Sequence, residues 1–212
     1  MLHLHAGLSV LRRRSIQQVS RAAGIAALCL GTCTWIRAQS ASGHVSTGPA
    51  VFLSPKAIQA TGSAPRMQVQ QLTSTGEVKE YAVIFYTGDE AFSGLVAFAK
   101  QYHVTSAHFT AIGAISGARL GWFDQAKKMY RITPYTGQME VASMSGDIAI
   151  YQGRPAVHAH AVLGMLDGST RAGHVVEMQV RPTLEVMVTV DPAGMQKRFD
   201  PETDLTLIDP KP

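Results

Sequence analysis

From residue 106 to 190 the chain is a near-continuous run of apolar and β-branched residues alternating with polar ones, interrupted only by glycines and turn residues. Period-two alternation places successive side chains on opposite faces of a sheet. So long a run without helical spacing confines the fold to one dominated by antiparallel strand pairing. Strands are predicted at 106–115 and 118–124, turning at Ser116-Gly117, and at 127–135 and 139–151, turning at Gly137. Gln152-Gly153-Arg154-Pro155 turns the chain into a strand through His158, followed by a hairpin partner at 171–180 and a closing strand at 183–190. Upstream, residues 66–72 and 80–86 read as two further strands. After them Thr87 or Asp89 is placed to cap a helix with Glu90 in its first turn. Phe92, Leu95, Val96, Phe98 and Ala99 recur at helical spacing, so this helix packs an apolar stripe on the sheet. The expectation is an α+β fold with a mostly antiparallel sheet of about eight strands and one main helix near the start.

The ends differ from this body. The first 38 of the 212 residues hold Arg12, Arg13, Arg14, Arg21 and Arg37, no acid, and an apolar run over 22–36. They read as an export signal cut after Ala38, which places the product in the periplasm or outside the cell. Both cysteines, Cys29 and Cys33, lie in it, so the mature chain carries no thiol. Beyond Ala38 the formal balance is 14 basic to 15 acidic residues, and the net charge of +4 belongs to the leader. Residues 39–65, rich in Ser, Gly, Ala, Thr and Pro, read as a disordered tether; 66–190 form the domain, and 191–212 read as a surface tail.

The residues with the clearest chemistry are His158, His160 and His174. In a strand, His158 and His160 project to the same face. Asp167-Gly168 is a turn signal that folds the chain back and brings His174 alongside. Three neutral imidazoles suit zinc or a similar divalent ion and leave a fourth position for water or a ligand. Histidines on a sheet face can equally be hydrogen-bonded core residues, and geometry decides between the two.

The elements also carry a family resemblance. Residues 81–86 before Gly88-Asp89, the helix ending in Phe98-Ala99-Lys100, Ala111-Ile112-Gly113-Ala114 and Leu120-Gly121 occur in order. So do Gly137-Gln138-Met139-Glu140-Val141 before Ser145-Gly146-Asp147, the stretch 155–163, and Gly173-His174 before Glu185-Val186. Together they resemble the plant and prokaryote conserved (PPC) domain over about residues 68–190. The resemblance implies an α+β homotrimer and, on positions matching His158, His160 and His174, a metal ion of the kind several prokaryotic members hold. It also implies a DNA-binding label, taken from plant relatives in which an AT-hook precedes the domain. Here Gly153-Arg154-Pro155 has the AT-hook core without flanking basic residues. Residues 137–142 lack the Arg and Phe of the plant partner-recruiting hexapeptide, and Ala172-Gly173 stands where two glycines are usual.

Three functional classes follow. The first is an exported, trimeric, metal-loaded module for a small ligand or protein partner. The second is a metal-assisted enzyme with His108, Asp147 or Glu177 carrying protons. The third is a DNA-binding protein, whose basic footprint would rest on Arg119, Lys127, Lys128 and Arg131. No nucleophile elbow, phosphate-cradling glycine loop or cysteine nucleophile is present.

Overall fold

The computed structural model describes residues 45–73 and 75–210, all within one compact unit; the predicted export signal lies outside them. In chain order the elements are β1 (Ser46–Thr47), β2 (Val51–Leu53), a 3-10 turn (Pro55–Ala57), β3 (Gln68–Gln71), β4 (Lys79–Tyr86) and α1 (Ala91–Gln101). They continue with β5 (Ser106–Asp124), β6 (Met129–Tyr151), β7 (Arg154–Gly164), β8 (Thr170–Val190), β9 (Gln196–Asp200) and β10 (Leu205–Asp209). The α+β class and largely antiparallel pairing are as predicted, but the described residues form ten strands rather than about eight.

The count differs for two reasons. First, the predicted breaks inside β5, β6 and β8 are not breaks. Ser116-Gly117 lies at a register shift in a continuous 19-residue strand, and Gly137 passes through the 23-residue β6. Glycine in a strand that has partners on both sides marks a bulge or bend rather than an end. Second, the flanking segments are not free. Within the predicted tether, β1 and β2 pair with β6, with Val51 opposite Ile132. Within the predicted tail, β9 and β10 form a hairpin with Leu207 opposite Arg198. It is tied down by the Ile150 amide donating to the Met195 carbonyl at 2.8 Å.

β5 and β7 each pair with both β6 and β8, so the hydrogen bonding closes on itself around these four strands. Phe109, Ile115, Met144, Leu163 and Met178 fill the inner side, and α1 adds Leu95, Phe98 and Ala99 to the same core. Alternation along β7 buries Ala159 and Ala161 inward and leaves His158 and His160 on the opposite face. There a smaller apolar cluster forms: Tyr130, Ile132 and Val176, covered by Leu53, Ile58, Phe123 and Leu205. The flanking segments therefore cover the face that carries the histidines.

The start of α1 corrects the sequence reading by one residue. Glu90 is itself the cap, accepting the Phe92 and Ser93 amides at 2.9 and 2.7 Å. Asp89 instead closes the preceding turn, accepting from the Arg66 and Tyr86 amides at 2.9 and 3.0 Å. No helix among the described residues is long and apolar enough to cross a membrane.

Candidate metal centre

The turn at residues 165–169 brings the third histidine home. Gly168 has φ of +79°, and Met165 accepts its amide at 3.0 Å. From that turn the register sets His160 directly opposite His174 across β7 and β8, and His158 opposite Asp147 across β7 and β6. Directly opposed residues of an antiparallel pair share a face, so all four side chains converge outside the inner core. Ala172 lies within β8, well past the turn, so its place beside Gly173 does not affect the reversal.

One ligand atom from each of His158, His160 and His174 lies within 4.8 Å of the others. Their ring centroids are 5.1 to 5.6 Å apart. A tetrahedral centre with metal–nitrogen bonds of about 2.1 Å spaces its nitrogens about 3.4 Å apart, so closure takes ring rotations of about 1.4 Å at most.

The surroundings favour the neutral form of two of the imidazoles. His174 is the most enclosed, and burial, reinforced by the neighbouring histidines and Lys197, pushes it down to about 3. Burial and His158 also lower His160. The His174 Nδ1 is buried with no hydrogen-bond partner among the described residues. A buried nitrogen left so costs about 1–3 kcal/mol unless something binds it. This buried nitrogen, the convergence of three imidazoles and their partial exposure fit a divalent metal with nitrogen preference.

Two side chains hold the cluster in place. Asp147 Oδ2 lies 3.4 Å from His158 Nδ1, which leaves Nε2 as that ring's outward donor. Asp147 Oδ1 is 2.7 Å from Lys197 Nζ. Burial alone would raise the Asp147 carboxyl, but His158 and Lys197 outweigh it and hold the group below the usual carboxylate range. On the other side the Tyr130 ring stacks on His174 at 4.6 Å and 20°. A Cβ on Gly121 would stand 2.9 Å from Tyr130 Cδ1 and 3.1 Å from Ile132 Cδ1. Gly121→Ala is therefore expected to push the tyrosine off His174 and to destabilise the fold by about 1–3 kcal/mol, measurable by urea unfolding.

Of the other predicted site residues, Asp147 joins the histidines. His108 turns to Asp191 at 3.5 Å, and Glu177 to Arg119 at 3.6 Å and to Gln179. Lys197 and Tyr130 were not anticipated. The only signal for Lys197 is a short one: Leu205-Thr206-Leu207 alternates after an Asp200-Pro201 turn within the supposed tail. The AT-hook-like tripeptide has a local explanation. Gln152 and Gly153 both have positive φ, 51° and 74°, and form the two-residue hairpin loop between β6 and β7.

Comparison with known proteins agrees with this architecture. The family model of the Plants and Prokaryotes Conserved (PCC) domain matches residues 72–191. A Bacteroides thetaiotaomicron crystal structure, named as a proposed DNA-binding protein, is similar with TM-score 0.62 and 25% identity; it covers 66% of this chain and 96% of its own. A Ralstonia eutropha structure named in the same way has TM-score 0.59 and 30% identity over 65% of this chain and 92% of its own. A protein of Archaeoglobus fulgidus, described as metal-containing, has TM-score 0.59 and 28% identity over 66% of this chain and 98% of its own. No curated protein matches the chain.

Proposed function

Because this chain belongs to the Plants and Prokaryotes Conserved domain family, we propose that it is a metal-binding module holding zinc or a similar divalent ion on His158, His160 and His174. The observation that carries this reading is the convergence of one ligand atom from each of the three imidazoles within 4.8 Å, with a His174 Nδ1 that is buried without a hydrogen-bond partner among the described residues. The metal-containing relative from Archaeoglobus fulgidus supports it. Bound there, the ion would supply a Lewis-acidic site with one coordination position left for an external donor.

A binding role is favoured over hydrolysis by the state of Asp147. Its carboxylate is committed to Lys197 and His158 and is held ionised, with little affinity for a proton from a reacting water. In this reading Asp147 is a positioning residue that fixes the His158 ring. Duplex DNA is disfavoured although two solved neighbours bear that name. Arg119 and Lys127 are paired with Glu177 and Asp124, Lys128 donates to the Pro201 carbonyl, and acids outnumber bases beyond Ala38.

The test is elemental analysis of the protein after dialysis against buffer with trace zinc. About one ion per chain is expected, and none would refute the centre. Asp147→Asn should keep the fold and weaken the metal about 10–100-fold in a chelator competition, the loss typical of a hydrogen-bonded carboxylate behind a ligating histidine. Export and homotrimeric assembly belong to the same reading. Exposed Ile112 and Met187 on neighbouring strands β5 and β8 offer an apolar surface that a second copy could cover. Sedimentation measures the assembly, and the N-terminal mass of the secreted product measures the cut.

A further inference from the structure

Against the histidines lies a cavity of about 500 Å³, with His158 and His174 at one end and Lys197 and Asp147 beside them. Much of its remaining lining is apolar and includes Ile58, Tyr130, Val157, Leu205 and Leu207. Leu207 is 40% exposed. The outer part of the wall comes from two separate additions to the family domain. Ile58 follows the 3-10 turn, and Leu205 and Leu207 belong to the β9–β10 hairpin, all outside the matched residues 72–191. The additions brace one another, since Lys56 Nζ sits 4.5 Å over the Phe199 ring and the hairpin packs on the 3-10 turn. The cavity is thus a feature of this chain, built where its own segments cover the histidine face.

We infer that this cavity binds a small amphipathic monocarboxylate, its chain along the hairpin and its carboxylate toward the histidine cluster. The volume suits a small organic ligand, and an apolar wall with few converging polar groups is the usual make-up of such sites. Charge selects the head group. Lys197 and Asp147 neutralise one another at 2.7 Å, and an ion held by the three imidazoles is bound through neutral nitrogens. The net charge at that end is then the ion's own, which favours an anionic oxygen donor over a cation or a neutral alcohol. This assignment rests on the metal reading above for its polar end; its apolar end stands on the hairpin and Ile58 alone.

The probes are octanoate, acetate and octanol, titrated calorimetrically into zinc-loaded protein whose metal content is measured separately. Octanoate should bind at least about tenfold more tightly than acetate, because buried methylenes add affinity, and about tenfold more tightly than octanol, which lacks the charge. Leu207→Glu, on an exposed strand position opposite Arg198, and Ile58→Asp on the other wall should each weaken octanoate at least about tenfold while retaining zinc. Octanoate that binds no better than acetate, or equally well in both variants, overturns the pocket and leaves the metal centre standing. A protein that takes up no zinc removes the metal reading instead. The pocket is then decided by the same octanoate titration on the protein as purified: binding lost in both variants upholds the apolar wall, and no binding overturns it.

Discussion

His174→Ala is expected to abolish zinc retention, reducing metal content after dialysis from about one ion per chain to near zero. Zinc held by protein side chains gains about 10–16 kcal/mol in all, so one ligand of three accounts for about 3–5 kcal/mol, or about three orders of magnitude in affinity. The remaining pair, His158 and His160, is the more exposed part of the cluster. The metal-free protein should respond differently. Its His174 Nδ1 makes no hydrogen bond among the described residues, so truncation sacrifices the stacking on Tyr130 and some packing, about 1–2 kcal/mol. A structural histidine would give the reverse pattern, with a large loss of stability and no change in metal. That reverse result, or full zinc occupancy in the variant, would remove His174 from the ligand set.

Glu90→Ala should be the most damaging single change to the fold among those argued here. The side chain is 3% exposed and accepts three backbone amides: Phe92 and Ser93 at the start of α1, and Met178 in β8 at 2.9 Å. It caps the helix and fastens that helix end to a central strand with one carboxylate, in a setting where charge-assisted bonds are strong. Alanine leaves three buried N–H groups without an acceptor. At about 1–3 kcal/mol each, with partial relaxation, the expected loss is about 4 kcal/mol, or about 8–16 °C in Tm for a domain of this size. Glu90→Gln keeps an acceptor oxygen and should lose about half as much. Calorimetric unfolding checks both, and an alanine variant within about 1 kcal/mol of the parent would show that the helix end is held by packing alone.

These two residues illustrate how differently the parts of the molecule could be read in advance. The three histidines were legible because two local rules act on them: alternation in β7 and an Asp-Gly reversal between β7 and β8. Asp147 was visible only as a candidate by residue type, since its position opposite His158 depends on the register between β6 and β7. Around Glu90 the sequence marks where the helix starts but not which residue caps it, because Thr87, Asp89 and Glu90 can each accept a helix amide. The choice was made by Met178, 88 residues away. Lys197 was missed because a segment with prolines and weak alternation looks like free tail until the edge it pairs with is known.

The sequence alone therefore determined what depends on neighbours in the chain: the class of fold, the helix and its buried stripe, the reversal at Gly168, and the face that carries the imidazoles. Side-chain periodicity and turn chemistry act over a few residues, so they are written in a few residues. The tertiary structure alone decided what depends on pairing at long range. Glycines inside β5 and β6 became bends because both strands have partners on either side, the flanking segments became the walls of a cavity because β6 offered them an edge, and Lys197 reached Asp147 because the last hairpin docks there. Those outcomes are set by which surfaces remain uncovered once the central strands have closed, and no local pattern encodes that.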